Sequence, residues 1–418
     1  MPSERSRGWR GALRVVLVSN FYPPHVVGGA EIVAAQLARE LAATGVDVTV
    51  VTTCEPRDGI REEVQDGVHV VRFFPRNLWW NYRRFQAGDV RSLPAKLVWN
   101  LRDAWNRDAA RKFGAVLDAI APDLVHTHNL KGFSPSVWAA ARRRSLPVVH
   151  TMHDYYLLCR RGTMLHADGT PCAQRCLGCQ AYRAWYKPKA ATLDLLCSPS
   201  RHLLDMHLAA GVSGRFGQYV VRNGLTRPPR GELPREGDKT RLLFLGQLGR
   251  EKGIHVLLAA MQKVRRAVEV HIAGRGPMGE AVRQAAASDP RLVFHGFLAG
   301  EDKQRVLSGC DAVLFPSTWA ENAPLAIAEA FLSGRPVIGS RYGAIPEFIS
   351  HGDNGLLFEM GDPTALAAAI DRLSAEPSLR AALRAGAEEA AVGFTVEAMT
   401  AAYRGLYELV LEKRKAAA

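Results

Sequence analysis

The sequence predicts an α/β chain of two doubly wound, parallel-sheet domains that face one another across a cleft. Two patterns in the chain carry that expectation. Solid apolar, β-branched runs alternate with helical patterns almost from end to end; such runs are strands buried on both faces of a parallel sheet, and the helices between them make βαβ units. The alternation pauses once, in a Pro- and Gly-rich segment, and then resumes. The length of 418 residues suits two or three domains at roughly 150 residues each.

Residues 1–12 form a basic leading stretch with Arg5, Arg7 and Arg10, expected to be flexible. The run Leu13 to Ser19, interrupted only by Arg14, reads as a strand and not as the apolar core of a secretion signal. Asn20 to Gly29 is a loop. A helix is expected from about Ala30 to Ala43, with Val33, Leu37 and Leu41 on one face and Gly45 as the stop. Val46 to Thr52, Leu124 to His128, Pro147 to Met152 and Leu195 to Ser198 repeat the strand pattern, so residues 13–225 make one domain. Residues 226–240 carry Pro228, Pro229, Gly231, Pro234 and Gly237 among mixed charges, and read as a linker. A second series fills 241–394: Leu242 to Gly246, Glu269 to Gly274, Leu292 to His295, Ala312 to Pro316 and Pro336 to Ser340. The last segment, 395–418, contains a helix from about Thr395 to Glu412 with Met399, Tyr403, Leu406 and Val410 on its apolar side. Spacing alone does not say which domain that helix joins. In sheets of this kind ligands sit beyond the carboxyl ends of the strands, so the gap between the domains is the expected site.

Composition limits the function. Hydrophobic residues are 47% and charged residues 23%, which excludes a disordered or fibrous chain. There are 54 Lys+Arg against 41 Asp+Glu, a formal charge of +13, and this favours an anionic partner: nucleic acid, a phosphate-bearing substrate or a membrane surface. No uncharged apolar stretch reaches the ~18 residues of a membrane span. Seven cysteines are an odd number, and with no secretion signal a reducing cytoplasm is the expected setting.

Within Asn322 to Gly334 the single charged residue is Glu329. Pro324 suits the first turn of a helix and Gly334 its stop. Apolar Leu325, Ile327, Phe331 and Leu332 face several ways, so the helix is expected to be largely buried. A carboxylate there must be paired or hydrogen-bonded. Two readings stand: an ion pair with an arginine, or a carboxylate that accepts hydroxyl groups of a ribose or sugar. Glu321 precedes the helix by a short loop and is either a solvated acid or a neighbour of a ligand at the helix N-terminus. Gly28 and Gly29 stand between the first strand and first helix, where glycine permits either a close phosphate or simply a tight turn. Gly274-Arg275-Gly276-Pro277-Met278-Gly279 matches G-x-G-x-x-G. The next strand ends in His295-Gly296-Phe297, without the acid that a nicotinamide or flavin dinucleotide needs on its ribose. What remains for that loop is a generic phosphate- or nucleotide-facing role. Arg250 and Lys252 follow another strand, as a diphosphate site or a solvated basic loop.

Together these stretches resemble family 4 glycosyltransferases of the GT-B fold, in which two Rossmann-like domains face across a cleft. The matching residues are Asn20-Phe21-Tyr22-Pro23-Pro24 through Gly28-Gly29-Ala30-Glu31, Gly246 through Lys252-Gly253, and Pro316-Ser317 through Glu321-Asn322-Ala323-Pro324 to Glu329-Ala330. Gly334-Arg335-Pro336-Val337-Ile338, Gly343-Ala344-Ile345-Pro346-Glu347 and Asn354-Gly355-Leu356-Leu357 match as well. The resemblance spans roughly Leu13 to Glu412. It implies a retaining transfer from a UDP- or GDP-linked sugar, without a catalytic metal. It also implies that Glu329 holds the donor ribose, and that Glu321 with the backbone of Asn322, Ala323 and Pro324 holds the donor sugar. Gly29, Lys252 and Arg250 would face the diphosphate, and His153 would sit by the donor sugar and acceptor. Gln247 stands where the family usually has arginine, so Arg250 replaces it or the diphosphate keeps one cation fewer. Ala344 stands where glycine is common.

Two features lie outside that pattern. Cys159, Cys172, Cys176 and Cys179, with His166 among them, are spaced to close a tetrahedral zinc site or to form a loop of reduced thiols. Cys54, Cys197 and Cys310 sit in apolar runs and are expected in the core. Arg72 to Lys112 holds ten basic and three acidic residues with Trp79, Trp80, Trp99 and Trp105. It suits a membrane-docking or lipid-linked acceptor surface, or a helical insertion with core aromatics. The expected activity is sugar transfer to a saccharide or lipid-linked acceptor in cell-surface polysaccharide or glycoconjugate synthesis, at the inner membrane face. A nucleotide-sugar epimerase of the same fold and a basic nucleic-acid-binding protein are the alternatives.

Overall fold

The structure, a computed structural model, describes residues 12–83, 91–166, 170, 172, 177–229 and 239–417. Its strands are β1 (Arg14–Val18), β2 (Asp47–Thr53), β3 (Arg61–Gln65), β4 (Val68–Phe73), β5 (Leu124–Thr127), β6 (Val148–Thr151), β7 (Leu195–Ser198) and β8 (Gln218–Val220). They form one sheet in the order β3-β4-β2-β1-β5-β6-β7-β8. All neighbours run parallel except the β3–β4 hairpin at the edge. A second, all-parallel sheet has the order β11-β10-β9-β12-β13-β14. It is built from β9 (Thr240–Leu245), β10 (Val268–Ala273), β11 (Leu292–Gly296), β12 (Ala312–Phe315), β13 (Val337–Ser340) and β14 (Gly355–Phe358). The apolar runs become strands because both faces are covered: Val15, Val16, Leu17 and Val18 are all 1% exposed or less. The hairpin strands β3 and β4, the edge strand β8 and β14 give no solid apolar signal in the sequence.

Each sheet reverses its strand order once, between β1 and β5 in the first and between β9 and β12 in the second. Loops leaving the carboxyl ends on either side of such a reversal diverge and leave a crevice. The loops after β1, β5 and β6 in one domain, and after β9 and β12 in the other, bound one common cavity.

The helix Val396–Ala416 follows the second domain in sequence but packs on the first. Val396, Met399, Tyr403, Leu406, Tyr407, Val410 and Leu411 join Val15, Leu17, Leu37, Val50 and Leu124 in one core cluster. The residues 226–240 read as a linker overlap the start of β9, and positions 230–238 lie outside the described residues. Cys54, Cys197 and Cys310 are buried, at 2%, 0% and 1% exposure, as their apolar surroundings lead one to expect.

Candidate functional site

A cavity of about 530 Å³ lies between the two domains. From the first domain it is lined by Gly28 and Gly29 at the start of the helix Gly29–Ala43, and by Asn129, Lys131, His128, His153 and Asp154. From the second come Lys252, Trp319, Glu321, Asn322, Ala323, Pro324 and Leu325. Glu31 caps its own helix: its Oε2 accepts the Gly28 N–H at 2.7 Å. Burial pushes that carboxyl above the usual range. The helix start lies beside a backbone that carries no side chain at positions 28 and 29 on the cavity wall.

Glu321 and Lys252 form the polar centre on the opposite wall. Lys252 Nζ lies 2.7 Å from Glu321 Oε1, and the Ser317 hydroxyl donates to the same oxygen at 2.9 Å. The Glu321 side chain is only 4% exposed. The Lys252 ammonium also sits 5.0 Å from the centre of the Trp319 ring, a cation–π contact. Loop geometry holds the lysine in place, because the backbone of Glu251 accepts the N–H groups of Thr318 and Trp319. Gly253 must be left-handed (φ 75°), and any Cβ there would overlap the carbonyl of Pro316. Asn322 donates its amide to the carbonyl of His153 across the gap at 3.2 Å, while its buried Oδ1 has no partner. An acceptor atom left unpaired at the edge of a polar cavity fits a ligand hydroxyl.

Glu329 stands one helical turn further on. It is half-buried instead of enclosed by apolar neighbours, because its side of the helix Leu325–Leu332 opens onto a second cavity of about 750 Å³. Its partner is Lys303 Nζ at 2.8 Å, not an arginine. Ile32 and Gln36 of the first domain form the far side of that cavity. The two cavities therefore follow one another along the same pair of facing helices. Between them Leu325 closes on Gly29, where an added Cβ would lie 2.8 Å from Leu325 Cδ1.

The remaining expected site residues fall outside the cavities. Arg250 and Gln247 are exposed and line neither. Gly274 and Arg275 also line neither. A Cβ at Gly274 would overlap the carbonyl oxygen of Gly246, and one at Gly276 would lie 2.6 Å from that of Leu248. Those glycines are required by loop-on-loop packing between β10 and β9, and Arg275 lies over the ring of Phe297 instead of facing a phosphate. Cys159, Cys172 and Cys179 line one small pocket with Met164 and Arg183, while Cys176 lies outside the described residues. Among the described residues no group of three or more His, Cys, Asp or Glu side chains is arranged to hold a metal ion. Within the stretch Arg72 to Lys112, buried and exposed apolar residues share one helix. Trp99 is 4% exposed, whereas Leu93, Leu97 and Leu101 on the same helix are 81%, 54% and 65% exposed. No described helix is long and apolar enough to cross a membrane.

Three groups escaped the sequence reading. Trp319 sits inside a recognisable motif, but nothing in its spacing announces a cation above its ring. Lys303 lies on a helix whose polar pattern looks solvated. Asp154 lines the cavity, and burial raises its carboxyl to about 6.

Two doubly wound domains that face a shared cleft, with an acid–lysine pair on one wall, have the architecture of the GT-B fold. The chain belongs to the family 4 type of glycosyltransferase: the description "Glycosyl transferases group 1" matches residues 239–376, and "Glycosyl transferase 4-like domain" matches residues 28–224. A 42.6 kDa protein from the cps region of Klebsiella pneumoniae is 27% identical over 337 residues, covering 80% of this chain and 87% of that protein. Glycogen synthase of Mycobacterium tuberculosis is 27% identical over 383 residues, with 88% and 87% coverage. The structure of the Anabaena protein HepE in complex with UDP aligns with a TM-score of 0.70, over 95% of this chain and 100% of that one. At 18% identity that likeness speaks for the fold.

Proposed function

We propose that the chain is a retaining glycosyltransferase that moves a sugar from a UDP- or GDP-linked donor to a saccharide or lipid-linked acceptor in polysaccharide assembly. The observation that carries this reading is the buried Glu321 paired with Lys252, set opposite the side-chain-free backbone of Gly28 and Gly29. In this reading the donor lies along the start of the helix Leu325–Leu332. Glu321 accepts hydroxyls of the sugar, Glu329 those of the ribose, and Lys252 with the facing helix N-terminus takes up the charge that grows on the departing diphosphate. His153 and Asn322 complete the sugar site. Burial lowers His153 to about 4, so it is a poor base at neutral pH. A donor phosphate oxygen then takes the acceptor proton as the nucleotide leaves on the same face. Relatives and solved neighbours support the nucleotide donor, through the UDP bound by HepE. The cps region of the Klebsiella relative and the name of the mycobacterial one support a polymeric acceptor.

The test is release of nucleoside diphosphate from a panel of UDP- and GDP-sugars, with and without saccharide acceptors. Lys252→Ala and Glu321→Ala are expected to lower turnover by ~10² or more while retaining the wild-type fold. Wild-type turnover in either folded variant refutes the assignment. Product formed without acceptor would instead favour an epimerase. Salt-sensitive oligonucleotide binding with no effect of Glu321 would favour a nucleic-acid protein.

Two finer parts of the proposal have their own support. The exposed Leu93, Leu97 and Leu101 stripe, beside Arg102 and the Trp185–Lys189 pair (3.5 Å from ring centre to ammonium), suits peripheral contact with an anionic membrane. Such binding should weaken as salt rises. Structural zinc on Cys159, Cys172, Cys176 and Cys179 rests on their spacing in the sequence, and metal analysis of protein purified without chelator should then find one zinc per chain.

A further inference from the structure

Three histidines stand one behind another beneath the first-domain wall of the cavity. His126, on β5, uses both ring nitrogens: Nδ1 lies 2.7 Å from the Tyr407 hydroxyl and Nε2 2.8 Å from the Thr151 hydroxyl. Thr151 in turn meets the Tyr403 hydroxyl at 2.9 Å. The His128 ring packs 4.3 Å from that of His126. On its other side His128 Nδ1 lies 2.9 Å from His153 Nε2. His128 is 1% exposed and its Nε2 has no partner among the described residues. His153 Nδ1 has no protein partner among the described residues, and His153 lines the cavity.

Hydrogen positions follow from this by elimination. An imidazolium at His128 would bury a positive N–H with nothing to receive it. A neutral ring protonated on Nε2 would bury an N–H without an acceptor, at a cost of about 1–3 kcal/mol. A neutral ring protonated on Nδ1 leaves only a bare lone pair at Nε2, the cheaper defect. Its Nδ1–H must then donate to His153 Nε2. That nitrogen is therefore unprotonated, and the single proton of neutral His153 sits on Nδ1.

We propose that His128 is a positioning residue that locks His153 as the Nδ1–H tautomer, so that His153 offers the cavity a hydrogen-bond donor and not a base. The natural receiver is a hydroxyl oxygen of the bound sugar; that part alone rests on the glycosyltransferase reading. Charged and titratable groups surround His153: His126 and His150 lie behind it, Asp154 beside it, Lys131 on the neighbouring loop, Glu31 and Arg161 elsewhere on the first-domain wall, and Glu321 and Lys252 across the gap. Burial lowers both partners, His153 to about 4 and His128 well below the ordinary histidine value.

The tautomer is directly readable in the ligand-free full-length protein by ¹⁵N NMR of labelled histidine, with His153 assigned through its loss in His153→Gln. Wild type should show His153 Nε2 as an unprotonated nitrogen and Nδ1 as a protonated one. His128→Phe should mix the two neutral tautomers of His153. His128→Asn places an amide donor where Nδ1–H was and should restore the wild-type pattern. In the transfer assay His128→Phe should lower kcat by ~10-fold or more with little change in donor KM, and His128→Asn should recover most of it. A protonated Nε2 on His153 in the wild type, or spectra unchanged in folded His128→Phe, overturns the proposal. The NMR result stands independently of whether the protein transfers sugars.

Discussion

Lys252 and Glu321 depend on one another. The carboxylate is nearly enclosed, and besides the ammonium only the Ser317 hydroxyl contacts its Oε1. Removing the lysine strands a buried charge, whereas removing both partners strands none. The stability losses of Lys252→Met and Glu321→Gln, measured by denaturant unfolding, should therefore exceed the loss in the double variant by roughly 1–3 kcal/mol. Simple additivity would mean that the pair does not interact. At this scale the sequence was informative where a residue's neighbours in the chain are also its neighbours in space. Glu321, Asn322 and Pro324 could be read together for that reason. Glu329 was legible as a lone carboxylate in an apolar helix, but its half-burial and its lysine were not, since Lys303 lies 26 positions away. Gly274 shows the converse. Its pattern is that of a phosphate loop, yet the atom that forbids a side chain there is the carbonyl oxygen of Gly246.

The terminal helix Val396–Ala416 shows what an element can hide. Its apolar spacing marks a helix, but the surface it covers is set by β1, β2 and β5, which one-dimensional periodicity does not encode. Two of its buried tyrosines do more than fill space: Tyr403 and Tyr407 hydrogen-bond to Thr151 and His126. Tyr407→Phe keeps the ring and leaves His126 Nδ1 unpaired, so it should destabilise the protein by about 1–3 kcal/mol in urea unfolding. A loss below a few tenths of that would mean the hydroxyl contact is idle. The helix Arg201–Leu208 offers a second case. Glu347 of the other domain receives the N–H groups of Arg201 and His202 at 2.6 and 2.5 Å, so the start of a first-domain helix is finished by a second-domain carboxylate. A P-E dipeptide after a glycine turn gives no hint of that task.

Among the described residues, burial lowers nine histidines below their ordinary value and raises three acids above theirs. Burial holds His126 and His128 well below the ordinary value, His150 at about 3, and His153 and His207 at about 4. Between those values and ~6.5 the unfolded chain binds protons that the folded chain refuses, so stability rises with pH through that window and falls on acidification. Asp103 at about 7, Asp154 at about 6 and Glu31, also raised, titrate in the opposite sense. With His25, His202, His255 and His295 also lowered, nine against three leaves the histidines in control, and the unfolding midpoint should drop between pH 7 and pH 5. A midpoint that holds or rises over that range contradicts the assignment of these groups as neutral. The two-domain plan and the cleft were readable from alternating runs and one interruption. The paired cavities were not, since they depend on how closely two helix ends approach.

That approach has a kinetic meaning. Leu325 resting on Gly29 is a partition between two chambers, and a molecule long enough to occupy both has to displace it. A branched side chain at position 29 would act as a doorstop. In Gly29→Val, small-angle scattering of the unliganded protein should report a larger radius of gyration than wild type. Equal radii for variant and wild type would mean that the lobes do not meet at this point in solution.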